Sequence, residues 1–173
     1  IPDVPFIKTN FSNRIYHSEL LQESSFQSGS RIFKSQNYQD YTMEYGAIVK
    51  LIEWYGTLIA VMEHGILQIP VNERAMMTNA SGENVYINTE TILPKNPRVI
   101  SNTFGSVWSD SIVKTPRFIY GIDTIGKKIW RTNGQDFELI SDMKIQKFLN
   151  DNINLRESDR DLTIGKSFIK SHY

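Results

Sequence analysis

Apolar positions along the chain fall into short runs with turn residues between them. Three such runs, 46–54, 57–63 and 65–71, are separated by Tyr55-Gly56 and His64-Gly65, which predicts three antiparallel strands in a meander. The middle run is apolar at nearly every position, the pattern of a strand covered on both faces. Pro70 in the third run fits only an edge or a strand end, because proline has no N–H to give to a ladder. A second triplet, 117–123, 127–132 and 136–140, is joined by Thr124-Ile125-Gly126 and by Asn133-Gly134-Gln135. Asn133-Gly134 is the strongest hairpin signal in the chain, since both residues tolerate positive φ.

The stretch between the triplets reads as loops with one or two strands, 84–88 among them, punctuated by Ser81-Gly82, Pro94 and Pro97. Segments 14–18 and 31–34 predict two short strands, and 1–13, with Pro2 and Pro5, an extended arm. One helix is predicted over 142–152. Ser141 is placed to cap it, Asp142 complements its dipole, and Ile145, Phe148, Leu149 and Ile153 follow helical spacing. Beyond it, 156–161 is a mixed-charge turn and 164–173 has a weak strand-like pattern that stops without a partner, an end that looks cut.

Composition supports sheet over helix: 22 Ile stand against 4 Ala, with 20 aromatic residues. The fold class is therefore mainly β, built of antiparallel meanders that look like propeller blades, with one short helix. Residues 1–173 read as a single β-rich segment with no internal boundary. A closed propeller needs at least about four blades, so this chain would be a short arc of one or an unusually small ring.

Nineteen basic and nineteen acidic residues give a formal net charge of zero. That removes the broad attraction that non-specific nucleic-acid or anionic-membrane binding uses, and no specific nucleic-acid partner is expected. No apolar run approaches the length of a membrane helix, so no membrane partner is expected either. With no cysteine, disulfides, thiolate metal sites and cysteine nucleophiles are excluded.

Candidate chemistry is sparse. Gly121 to Lys128 matches the start of a phosphate-binding loop, but Lys128 stands where a Ser or Thr must reach magnesium, and a hairpin follows instead of a helix. Gly165-Lys166-Ser167 lacks its first glycine, Arg160 standing in that place. His17, His64 and His172 show no zinc spacing. Glu53, Glu63, Asp110 and Asp123 could pair as acid and base in glycoside hydrolysis, although Asp123 is better explained as an acceptor for turn amides. Trp54, Trp108 and Trp130, with Tyr38, Tyr41, Tyr45 and Tyr55, could form a stacking platform if exposed together, or could pack the core. Lys127, Lys128 and Arg131 form a basic rim on one hairpin. Asn10-Phe11-Ser12 and Asn79-Ala80-Ser81 match the glycosylation pattern alone. No catalytic, cofactor-binding or metal-ligating residue is assigned, and no cofactor is expected.

The run from Tyr120 to Gly134, Leu139-Ile140-Ser141-Asp142 and the run from Gln146 to Asn152 together resemble a large virion protein of the crAss-like tailed bacteriophages. Tyr45 to Leu51, Glu63 to Ile66, Ile69 to Arg74 and Ser111 to Pro116 extend the resemblance, which covers roughly residue 14 to the C-terminus. It implies a non-enzymatic structural component of the phage tail, of the muzzle or tail-tip kind, located in the virion and assembled in the host cytoplasm. The implied partners are other tail or virion proteins, with a homo-oligomer around the tail axis. It also implies that these residues are a piece of a longer chain. A rival reading is a module that binds glycans or the host surface through exposed aromatics. A hydrolase using Asp or Glu with one histidine is the third, and no constellation lifts it above chance.

Overall fold

The computed structural model describes residues 10–19, 29–71, 74–78, 84–88, 92–141 and 145–153. The chain is mainly β, in two four-stranded and two two-stranded antiparallel sheets. β1 (Arg14–Tyr16) pairs with β2 (Tyr38–Asp40). β3 (Ile48–Trp54), β4 (Thr57–Met62) and β5 (Ile66–Pro70) form a meander. The chain then makes a hairpin of β6 (Arg74–Thr78) and β7 (Asn84–Asn88) before β8 (Arg98–Ser101) returns to pair with β5. β9 (Val113–Lys114), β10 (Ile119–Asp123), β11 (Lys128–Thr132) and β12 (Phe137–Leu139) follow as a second meander, and α1 (Gln146–Asn152) comes last. Each four-stranded sheet keeps its strands in chain order.

The two predicted triplets are thus present, and the core shows why their pattern was readable. β4 lies inside its sheet and is buried on both faces. Ile59 and Val61 join Ile52, Trp54 and Ile66 against Ile112, Ile119 and Trp130 of the second meander. Ala60 and Met62 point the other way, joining Leu67 and Ile69 against Ile15, Tyr41 and Leu93. Successive side chains of a strand alternate faces, so a strand sandwiched between two layers has to be apolar throughout. The result is three layers, β1–β2, the β3–β4–β5–β8 sheet and the β9–β12 sheet. Each aliphatic side chain in these interfaces contributes roughly 1.5–3 kcal/mol by leaving water. Pro70 is the last residue of β5, an inner strand, so the strand-end reading of that proline is the one realised.

One of the turns departs from the sequence reading. Tyr55-Gly56 is the tight two-residue hairpin: Trp54 pairs with Thr57, and both turn residues take left-handed φ, 46° and 78°. Tyr55 is held there by its hydroxyl, which donates to the Pro116 carbonyl at 2.6 Å, and by an edge-on contact with Trp54. Asn133-Gly134 is not such a turn. Thr132 pairs with Phe137, leaving a four-residue loop in which only Gly134 has positive φ. The Asn133 side chain instead accepts the amides of Gln135 and Asp136, a local bond that favours a wider loop.

Three other expectations are corrected. Residues 31–34 are not a strand: 29–31 form a 3₁₀ turn, and the strand opposite β1 is Tyr38–Asp40. Cross-strand partners decide the choice, since Arg14 faces Asp40 and Tyr16 faces Tyr38. The helix begins at Gln146 with Ile145 as its N-cap, and the buried Ser141 hydroxyl has no partner among the described residues instead of capping it. The region between the triplets holds four strands, β6 to β9, where one or two were expected. Of the predicted arm, 1–9 lie outside the described residues and residues 12–13 form a turn. The expectations for 156–161 and 164–173 also lie outside them.

Candidate functional site

The flagged ionisable residues go to separate structural tasks. Glu53, at the hairpin end of β3, accepts the Gly56 amide and pairs with Lys114 at 2.7 Å, and the Lys114 hydrogen bond holds its carboxyl below the usual carboxylate range. Lys114 also donates to the Glu53 carbonyl, setting a charged side chain on the outer edge of the sheet, a device that discourages stray strand pairing. Glu63 accepts the Ala47 amide, and Asp110 accepts the Ser109 hydroxyl. His17 Nδ1 lies 2.9 Å from the Ser18 carbonyl. His172, Gly165-Lys166-Ser167 and the Asn79 pattern lie outside the described residues. Among the described residues no group of three or more His, Asp or Glu could hold a metal ion.

One pair of flagged residues does come together. Asp123, at the end of β10, is buried, and His64, in the β4–β5 turn, is near enough for its charge to favour the Asp123 carboxylate. Burial outweighs that charge and the amide bonds from Gly126 and Ile125, so the Asp123 carboxyl is pushed up from its ordinary value. The native state therefore takes up this proton more readily than the unfolded chain. The stabilisation it contributes is complete below the unfolded-state value and is lost as pH rises through the native one. The melting temperature of the native chain is expected to gain on that of Asp123→Asn as pH falls from about 7 to about 3; melting curves of both proteins across that range check it. Other carboxylates titrate in both proteins and drop out of the difference.

The phosphate-loop pattern at Gly121 to Lys128 is the β10–β11 hairpin, with the Asp123 carboxylate accepting the Ile125 amide at 3.0 Å. Of the basic rim, Arg131 pairs with Glu138 and lies over Phe118, while Lys127 donates to the Asn150 carbonyl.

The tryptophans are core residues. Trp54, Trp108 and Trp130 are all buried, so the stacking platform they were weighed for does not exist. Trp54 Nε1 donates to the Asn133 carbonyl and Trp130 Nε1 to that of Gly105. Tyr41 is buried as well, its hydroxyl donating to Pro94 and its pKa pushed up to about 12 by burial.

An exposed aromatic group exists elsewhere, on the outer face of β1–β2. Phe11, Tyr16 and Tyr38 are 49%, 51% and 38% exposed, which separates them from the tryptophans. The Arg14 guanidinium lies between two of the rings, 3.9 Å from the Phe11 centroid and 3.8 Å from that of Tyr38. It is fixed there by two bonds to Asp40, Nε to Oδ1 at 2.6 Å and Nη2 to Oδ2 at 2.8 Å. Sequence reasoning singled out Tyr38 alone of these. The readable signal was the alternation Arg14-x-Tyr16 opposite Tyr38-x-Asp40, which puts four side chains on one face of a two-stranded ladder.

Compared with known proteins, the chain matches the family model described as Crassvirus muzzle protein over residues 5–169. No curated protein matches it.

Proposed function

The chain belongs to the Crassvirus muzzle protein family, which makes it a structural protein of the virion, and we propose that it serves there as a non-enzymatic assembly module. In this reading it docks onto neighbouring tail subunits around the tail axis, with assembly in the host cytoplasm. The observation that carries the proposal is the stack of layers. Two four-stranded sheets and a two-stranded one lie face to face, and the middle sheet is covered on both sides. Propeller blades stack in this way, and a closed ring takes about four to eight of them, so neighbouring chains or further parts of the same polypeptide would supply the rest. The flagged ionisable groups support the non-enzymatic side, since Glu53, Glu63 and Asp123 bind turn and loop amides. Sedimentation velocity over a wide concentration range is expected to show self-association of the chain. A strict monomer throughout would remove the basis for homo-oligomeric assembly through these layers.

A second reading, recognition of a host-surface glycan, draws on the exposed Phe11, Tyr16 and Tyr38 group. Arg14 lies 3.9 Å and 3.8 Å from the Phe11 and Tyr38 centroids and 5.9 Å from that of Tyr16, so Tyr16 is the ring it covers least and the one placed to stack on a sugar. Glycan arrays probed with the native chain and with Tyr16→Ala test it: signal lost in the variant supports binding there, and no signal from the native chain ends this reading.

A further inference from the structure

We propose that the β10–β11 turn is a latch that seats α1, and that Asp123 sets the latch. This goes beyond the assembly reading and does not depend on it. The first observation is how weakly the helix could hold itself. α1 has seven residues, well short of the ~12–15 at which isolated helices become even marginal in water. Its N-cap, Ile145, makes no side-chain cap bond, and Leu149 is its buried residue. Phe148 is exposed. Support has to come from outside the helix.

Burial of Leu149 supplies part of it, and among the described residues two hydrogen bonds supply more, both meeting at one residue. Lys127 Nζ donates to the Asn150 carbonyl at 2.8 Å, and Gln146 Nε2 donates to the Lys127 carbonyl at 3.1 Å. Lys127 sits at φ 53°, a left-handed conformation that a residue with a side chain keeps only where its surroundings impose it. Asp123 is what imposes it. Its carboxylate accepts the amides of Ile125 and Gly126, the two residues just before Lys127. The fit is close: a Cβ on Gly126 would stand 2.7 Å from Asp123 Oδ2. Losing those two amide bonds would let the turn relax and carry the Lys127 backbone and ammonium off their partners on α1. The β10–β11 ladder runs from the Asp123–Lys128 pair to the Ile119–Thr132 pair and does not pass through the turn. The helix can therefore leave while the sheets stay folded.

Hydrogen exchange on the full chain tests this. The amides of Leu149 and Ile153, bonded to the carbonyls of Ile145 and Leu149, are expected to exchange about tenfold faster in Asp123→Ala than in the native chain. β10 and β11 should keep their protection. Asp123→Asn, which retains one acceptor oxygen, should give a smaller acceleration in the same direction, as should Lys127→Met, which loses only the Nζ bond. If Asp123→Ala does not fold, Asp123→Asn carries the test. Unchanged α1 exchange in whichever Asp123 variant folds would overturn the latch. So would acceleration of β10 and β11 together with α1, because Asp123 would then only be holding up the sheet.

Discussion

Replacing Trp130 with alanine is expected to cost the fold about 3–5 kcal/mol, the range for deleting a large buried aromatic. Trp130 is fully buried in the interface between the two four-stranded sheets, among Ile52, Ile59, Ile66 and Ile119, with Phe137 beside its ring at 6.1 Å. Deletion would leave a void bounded by two hydrogen-bonded sheets, which cannot collapse far without giving up ladder bonds. It would also strand the Gly105 carbonyl, which accepts from Nε1 at 2.8 Å. Urea unfolding of the native chain, Trp130→Ala and Trp130→Phe separates these parts. Phenylalanine keeps most of the packing and loses the donor, so it should fall between the other two. A Trp130→Ala loss below about 1 kcal/mol would mean that the two sheets do not depend on this contact.

Gly105→Ala is expected to destabilise the fold by about 1–3 kcal/mol or more, although it adds a single methyl group. A Cβ at Gly105 would lie 2.0 Å from the Met62 carbonyl oxygen and 2.8 Å from the Glu63 backbone. Both obstacles are main chain, and the Met62 carbonyl is already engaged by the Ser106 amide at 3.0 Å. No rotamer change can relieve the clash, so the 104–106 segment must move away from β4. Because Gly105 also accepts from Trp130, that movement pulls on the sheet interface. Overpacking of this kind typically costs about 1–3 kcal/mol and occasionally more. The two substitutions share a hydrogen bond, so their costs should not add. A thermal melt of Gly105→Ala matching the native chain would show that the close approach of this segment is not needed.

These contacts also mark how far the sequence could be read. The meanders were legible because β4 alternates its side chains into two different layers, leaving an unbroken apolar run that few other structures require. Asp123 as a turn acceptor was legible for a similar reason, since its partners lie two and three residues away. Contacts across long separations were not. The second short strand was placed at 31–34 because that segment looks as strand-like as 38–40 by itself, and only the Arg14–Asp40 and Tyr16–Tyr38 pairs distinguish them. Propensity favours Asn over Tyr at a left-handed turn position, yet the tight turn is at Tyr55, whose hydroxyl is fastened to Pro116, 61 residues away. The approach of the 104–106 segment to Met62 and the influence of His64 on Asp123 span long separations in the same way. Nothing local in the chain announces them. The exposed aromatic group depends on the same register, which exists only with the strand at 38–40.

In the proposed role, the chain docks onto neighbouring tail subunits. Chemical cross-linking of intact particles followed by mass spectrometry tests it most directly. The account predicts cross-links from lysines of this segment, such as the exposed Lys34 and Lys95, to other virion chains or to other copies of its own. Particles in which every cross-link from the segment stays within one chain, or in which its peptides are absent, would contradict it.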